Sequence, residues 1–463
     1  MMRHYKDILQ MCRVIYSAIL NFSVILHAQV GRVREANYYA APSVQQLNWQ
    51  ALEVEVLIHF GINTFVGQEW GTGRESQKLF NPSDVDCVQW VESARAIGAK
   101  AAILVCKHHD GFCLWPSKFT EHSVKHSPWK GGKGDVIGEL SAACRRAGMA
   151  FGVYLSPADL HEPTFGRNSR KYNDFFCNQL RELLTGYGDI SQVFFDGANP
   201  PGRQQGYDFP RYYRLIRELQ PNAVISIRGP DVRWVGNEIG RARESEWSVI
   251  PIPKRPSDYH WPDLTAEDLG SQEKIEGAKY LHWYPAVADV SLRQGWFWQP
   301  NTESTIKSVP ELVRIYEESV GRNAGLQLNI APDRSGRIPE PDVKRLQEFG
   351  DTLKALFSTN HLASTNAVCN PMNVLPDNSG SQTVQFNEPV SLRYVVLQED
   401  ITQGQRVENF ELTVVDTNGR EQMFSATTIG WKRILRVNVS KTHSLKVTIN
   451  KSRARPIVTV SAY

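Results

Sequence analysis

Ionisable side chains recur in this chain at one kind of place, the end of a short apolar run. His59 ends the run Val54 to Phe60; Lys107, His108, His109 and Asp110 follow Ala101 to Val105; Tyr154 and Asp159 lie at the end of Ala150 to Leu155 and just past it; Asp196 ends Ser191 to Phe195. Glu238 lies beyond a fifth run, Ala223 to Ile227. Paired carboxylates, rather than Ser-His-Asp or Cys-His sets, are what cleavage of a glycosidic bond needs. One protonates the departing oxygen while the other attacks or stabilises the oxocarbenium-like carbon. Asp196, on a buried strand end, is a candidate for the ionised partner. The stretch Asp231 to Trp247 supplies Glu238, Glu244 and Glu246 for the other, and spacing alone does not choose among them.

The His108-His109-Asp110 run also has the composition of a metal site. Adjacent residues at a strand end are expected to point in different directions, however, and no CxxC pair or HExxH motif is present, so neither a metal nor a cofactor is expected. Hydrogen bonding of neutral imidazoles to vicinal hydroxyls is the expected role. Twelve Trp, 16 Tyr and 19 Phe supply flat faces suited to the apolar C–H faces of sugars.

Such residues need elements to hold them. A helix is expected after Asn81-Pro82-Ser83, with Ser83 as its N-cap, Val88, Val91 and Ala94 on one face and Gly98 as its stop. Ala101 to Val105 is apolar without alternation, as in a parallel strand covered on both faces. Helices over 135–148 and 172–187 alternate with strands at 150–155, 191–195, 223–227 and 326–330. Repeated βα units predict an α/β fold, a (β/α)8-like, TIM-type catalytic barrel, in which functional groups gather at the carboxyl ends of the strands. After a last helix, Asp342 to Leu356, the helical period stops. Short β-rich runs at 392–398, 410–415, 434–439, 445–449 and 457–460, with a tight turn at Asn418-Gly419, predict a C-terminal β-sandwich. The expected domains are a catalytic barrel over 29–357 and a sandwich over 358–463. The sandwich either binds carbohydrate or steadies the barrel, and Trp431 is the aromatic in it that stands out.

Lys6 and Arg13, the apolar stretch Val14 to Leu26 and small Ala28 read as a signal peptide over 1–28, too short for a membrane span. The mature protein is thus expected to be exported, periplasmic or secreted, without a membrane anchor. Losing Cys12 leaves Cys87, Cys106, Cys113, Cys144, Cys177 and Cys369, expected mostly as buried thiols rather than a disulfide scaffold. In 463 residues, 52 basic and 49 acidic side chains give a net charge of +3, without the basic field of a nucleic-acid binder. Oligomeric state is not legible.

Ile58-His59-Phe60-Gly61, Gln68-Glu69-Trp70, Lys107-His108-His109-Asp110-Gly111-Phe112, Gly152-Val153-Tyr154-Leu155-Ser156-Pro157, Phe194-Phe195-Asp196-Gly197-Ala198 and Gly295-Trp296-Phe297 together resemble, in order, the motif series of the α-L-fucosidases of glycoside hydrolase family 29. The resemblance runs from about residue 50 to 335 and implies a retaining hydrolase acting on fucosylated oligosaccharides or glycoprotein glycans. By it, Asp196 matches the nucleophile. His59, Glu69, Trp70, His108, His109 and Tyr154 match residues that bind the fucose hydroxyls or line the pocket, and Trp296 matches an aromatic near the sugar's methyl group. The Arg-Trp-Val-Gly-Asn-Glu run resembles the branch specific for α-1,3- and α-1,4-linked fucose in branched, Lewis-type glycans, where Glu238 is the best match to the acid/base. Departures occur at Pro157-Ala158-Asp159 and at Phe297-Trp298-Gln299-Pro300. The alternatives are a broad-specificity α-L-fucosidase and an inactive fucose-binding protein.

Overall fold

Eight strands form a nearly closed parallel barrel: β1 (Val54–Ile58), β2 (Ala101–Lys107), β3 (Ala150–Leu155), β4 (Gln192–Phe195), β5 (Val224–Ile227), β6 (Arg233–Trp234), β9 (Ala286–Ser291) and β10 (Ala324–Ile330), in the order β5-β4-β3-β2-β1-β10-β9-β6. A two-stranded antiparallel excursion, β7 (Val249–Ile252) with β8 (Tyr280–Trp283), interrupts the series. The computed structural model describes residues 40–197, 200, 202–363 and 367–463. The expected signal peptide, with Lys6, Cys12, Arg13 and Ala28, lies outside the described residues. Among the described residues no helix is long and apolar enough to cross a membrane.

Every residue of β1 and β2 is buried, which explains their unbroken apolar sequences: helices cover the outer face and side chains fill the inside. The helix Val136–Ala147 begins at Asp135, whose side chain accepts the Gly138 N–H, and ends at left-handed Gly148. The helix expected from Ser83 instead starts at Cys87, capped by Asp86. The reason lies in the loop after β10, because Asp84 and Asp86 donate their backbone N–H groups to Ser335 and Gly336 and their carboxylates bind Arg337, keeping 84–86 extended.

The barrel's amino end is plugged by Trp49 from the helix Val44–Gln50. Its indole N–H is shared between Glu55 Oε2 at 3.2 Å and Gln192 Oε1 at 3.1 Å, and Gln327 donates to the same Glu55 oxygen at 2.9 Å. Burial pushes Glu55 up to about 7, against the hydrogen bonds from Gln327 and Trp49. Above this polar layer Leu57, Ile103, Val105, Phe194, Val224 and Val287 fill the interior, so the barrel is a packed core with polar groups confined to its two ends. Between β5 and β6 there is no crossover helix. A parallel bridge from Ser226 to Val232 closes that seam, and Ile227 beside it has φ +68°, a strained value for a β-branched residue.

After the helix Glu340–Leu356 comes a seven-stranded antiparallel sheet, β11 (Ala367–Cys369), β12 (Asn373–Val374), β13 (Gly380–Glu399), β14 (Val407–Asp416), β15 (Glu421–Ala426), β16 (Arg433–Ser452) and β17 (Val458–Ala462). Register shifts between Gln385 and Tyr394 divide β13 into two halves with different neighbours, β11 and β12 on one, β17 on the other. Side chains of both halves, among them Val384, Phe386, Val395 and Leu397, share one core with β14 and β16. The sheet is pinned to the barrel. Trp431 N–H binds Asn323 Oδ1, its indole binds Glu53, Lys432 pairs with Glu53, and Arg433 reaches Glu244. Trp431 is thus committed to the barrel contact. Cys87, Cys106, Cys113, Cys144 and Cys177 are buried free thiols, and Cys369 is an exposed one.

Candidate active site

At the carboxyl end of the barrel the strand-end residues converge. Asp196, one residue beyond β4, accepts the Tyr154 hydroxyl on Oδ2 at 2.7 Å, and His109 Nε2 lies 3.8 Å from the same oxygen. The His59 ring lies 5.7 Å from His108, 6.1 Å from Tyr154 and 5.2 Å from Trp296, centre to centre. Trp70, 44% exposed, leans on His109 at 4.5 Å. These rings line a recess with Asp196 partly open to solvent at its side.

The hydrogen bonds set the tautomers. Ser156 donates its hydroxyl to the Ala158 carbonyl, so its oxygen can only accept from His109 Nδ1–H. Asn329 spends its amide N–H groups on Ser291 Oγ and the Trp296 carbonyl, which leaves its oxygen to accept from His59 Nδ1–H. Neutral His59 and His109 therefore carry bare Nε2 atoms, able to accept a hydroxyl proton. Burial keeps them neutral: it pushes His59 down to about 4, lowers His109 and lowers His108 well below the usual imidazole range. Tyr154 is held far above the usual phenol range by burial and by the Asp196 charge, so it stays a donor.

The expectation that His108 and His109 point apart is not met. Their rings sit 4.1 Å apart, and with Asp196 they offer three ligand atoms within 4.8 Å of one another. A register shift between Val105 and Lys107 at the end of β2 turns both imidazoles over the barrel mouth, while Lys107 goes the other way to pair with Asp159 at 2.8 Å beneath Phe175 and Phe176. Asp159 is thus a brace for that loop, also accepting the N–H groups of His161 and Glu162. Asp110, pushed up to about 7 by burial, accepts from Phe112 N–H and Asn63.

Glu69 fastens the opposite wall, accepting the backbone N–H of Trp296 at 2.7 Å and the Gln299 amide at 3.0 Å. Gly295 has φ +84°, and a Cβ there would lie 2.4 Å from Glu69 Oε1, so this approach requires glycine. The Trp296 indole in turn donates to Glu238. Glu238 is exposed, yet partial burial, opposed by that indole and reinforced by the charges of Asp196 and Glu69, raises its carboxyl. The other two candidates of its loop are engaged elsewhere. Glu246, 1% exposed, pairs with Arg233 and Arg243, and Glu244 pairs with Arg322 and Arg433. Ser156, Asn329, Gln299 and Arg228, which donates to the Gly197 carbonyl beside Asp196 at 3.2 Å, were not singled out from sequence. Asn329 had a legible signal, since it lies on the apolar run 326–330.

The sequence model of the family Alpha-L-fucosidase matches residues 37–356. Alpha-L-fucosidase 1 of Arabidopsis thaliana is 40% identical over 90% of this chain and 86% of its own. Among solved structures, a protein of Bacteroides ovatus ATCC 8483 assigned as an α-L-fucosidase is 44% identical, with TM-score 0.85 over 91% of this chain and 74% of its own. A Ruminococcus gnavus GH29 fucosidase solved in complex with fucose is 28% identical, with TM-score 0.82 over 94% of this chain and 97% of its own.

Proposed function

This chain belongs to the α-L-fucosidases of glycoside hydrolase family 29, and on that premise we propose that it releases terminal α-1,3- and α-1,4-linked L-fucose from branched, Lewis-type glycans with retention of configuration. Asp196 is the nucleophile and Glu238 the general acid and base. The observation that carries this reading is the pairing of opposite environments. Asp196 is held by the Tyr154 hydroxyl next to imidazoles that accept hydroxyl protons, whereas Glu238 sits at the exposed rim with its carboxyl raised.

In the first step a carboxylate oxygen of Asp196 attacks the anomeric carbon, the bond to the glycan oxygen breaks, and that oxygen takes the proton of Glu238. Esterified Asp196 no longer carries the charge that raised Glu238, so Glu238 stays ionised and accepts a proton from water attacking the same carbon. Asp196 leaves as carboxylate and fucose departs with its original configuration. Such double displacement requires the two carboxyls at about 5–5.5 Å. His59, His108, His109 and Tyr154 bind the sugar hydroxyls, with Glu69, Trp70 and Trp296 walling the pocket.

The linkage assignment predicts strong fucose release from Lewis-type trisaccharides and little cleavage of 4-nitrophenyl α-L-fucoside by the chain from Gln29 onward, read by fucose assay. Comparable rates on both would establish broad specificity instead, and no release from either an inactive binder. For Glu238, the expected result is that Glu238→Ala loses about 10²–10⁴-fold on glycans, and that on an activated fucoside, whose leaving group departs without a proton, azide replaces the base-activated water and speeds turnover with α-L-fucosyl azide as product. Rescue confined to Glu246→Ala would move the acid/base role to Glu246.

A further inference from the structure

Three of the groups gathered over the barrel mouth have a second chemistry open to them. Asp196 Oδ2 lies 3.8 Å from His109 Nε2, and with His108 these residues offer three ligand atoms within 4.8 Å of one another. Adjacent histidines at a regular strand end point apart and hold no ion together, but the register shift at the end of β2 brings these two rings to 4.1 Å. Ligands of a four-coordinate zinc ion, each about 2.0–2.2 Å from the metal, lie about 3.3–3.6 Å from one another. The gap between His109 and Asp196 is already close to that. The wider one closes by a turn of the Asp196 carboxylate, whose side chain is 27% exposed and has room to move.

The surroundings support these atoms as ligands. His109 gives its Nδ1–H to Ser156 Oγ at 2.7 Å, which fixes the tautomer and leaves Nε2 bare, the way a metal-binding imidazole is generally held. The Asp196 carboxylate accepts the Tyr154 hydroxyl at 2.7 Å, the corresponding support for an oxygen ligand. His108 is 7% exposed, and its Nδ1 is buried without a hydrogen-bond partner among the described residues. No protein group therefore ties that nitrogen, and the ring gives up no hydrogen bond there on meeting an ion. Lys107, next along the chain, is turned away and paired with Asp159 at 2.8 Å. Two neutral imidazoles and one carboxylate suit borderline first-row ions such as zinc, whereas calcium and magnesium take oxygen sets.

We propose that His108, His109 and Asp196 form a binding site for a zinc ion, and that zinc held there shuts fucose out. This rests on the reading of the recess as the fucose pocket with Asp196 as nucleophile. The ion takes the Nε2 lone pair of His109 and the carboxylate that the sugar needs, so the two occupants exclude each other. Zinc is then a reversible brake on the enzyme, raising KM while kcat stays the same.

The test is calorimetric titration of the metal-free chain with zinc chloride, with and without saturating L-fucose, beside fucoside kinetics at the same zinc concentrations. The expected result is one equivalent of zinc that fucose displaces, a rise in KM with zinc at constant kcat, and a site weakened about 10–100-fold by Ser156→Ala. His108→Ala is expected to lose it. Zinc binding that bound fucose leaves untouched, or that His108→Ala retains, is adventitious zinc at other side chains and overturns the proposal, as does the absence of binding. Should His108→Ala fail to fold, Asp196→Asn, changed at the open side of the recess, decides, and an undiminished fucose-sensitive site overturns the proposal. Titration of the metal-free chain with fucose alone tests the functional reading separately. If fucose does not bind, that reading falls, and the retention or loss of zinc in His108→Ala decides the metal site by itself.

Discussion

Asp196→Ala is expected to lower kcat by at least about 10⁴-fold on every fucoside while fucose still binds, if the proposed nucleophile role holds. The size follows from what is removed. A displacement without its nucleophile keeps only the pocket's binding and electrostatic contributions, and loss of such a group costs about 10⁴–10⁶-fold in enzymes with covalent intermediates. Binding survives because the acceptors on His59 and His109 are set by Asn329 and Ser156, not by Asp196. Turnover and calorimetric titration with fucose measure the two halves of the claim. Retention of most of the wild-type rate would remove Asp196 from the nucleophile's role. Azide adds a stereochemical readout: it should give the β-L-fucosyl azide with this variant, the opposite anomer from that expected of Glu238→Ala.

The second large effect is expected from removing residues 358–463, the proposed C-terminal domain. The truncated barrel would expose Tyr316, Leu356 and Phe357, which pack against Tyr394, Val396 and Ile434 of the sheet. It would also strip partners from Glu53, Glu317 and Asn323. Partial exposure of three apolar side chains costs roughly 1 kcal/mol each, and each hydrogen bond lost to Glu53, Glu317 and Asn323 about 0.5–1.5 kcal/mol. The total is comparable with the about 5–15 kcal/mol that holds a domain folded. The segment after Glu238 loses its ties too, since Gln405 accepts the Ser248 N–H and Arg433 holds the Glu244 carbonyl. Expression of 29–357 should therefore yield insoluble protein, judged by the soluble fraction and far-UV circular dichroism. A soluble, active barrel with weakened glycan binding would make the sheet a binding module.

The residues brought together at the barrel mouth were legible because one rule places them there. A polar side chain immediately after an all-buried strand emerges at the carboxyl end, as His59, His108, His109 and Asp196 do. The rule does not distinguish a side chain facing the recess from one turned to its loop, and so Asp110 and Asp159 stood beside the others until their hydrogen bonds were seen. β6 and β9 escaped the sequence reading for different reasons. β6 has two residues and no room for a pattern, and β9, Ala-Val-Ala-Asp-Val-Ser, mixes small residues with a buried acid that propensity disfavours. Asp289 was lost with that part of the barrel, and the Trp49 plug with the short helix Val44–Gln50 ahead of β1. Among Glu238, Glu244 and Glu246 the difference lies in partners far along the chain, such as Arg322 and Arg433, which no local spacing reveals.

The closure of the barrel also sets a schedule for its birth on the ribosome. One flank of β1 pairs with β2 soon after synthesis, but the other waits for β10, whose Gln327 follows its partner Glu55 by 272 residues. At about 5–20 residues per second that interval lasts roughly 14–54 s. Throughout it Val54–Ile58, every residue of which ends up buried, presents an open strand edge. The sheet that pins Asn323 and Glu53 emerges later still, so it can lock the barrel only after the ring has shut. Until β10 is made, that edge is a template on which a second unfinished chain can pair, and slower synthesis before β10 lengthens the exposure.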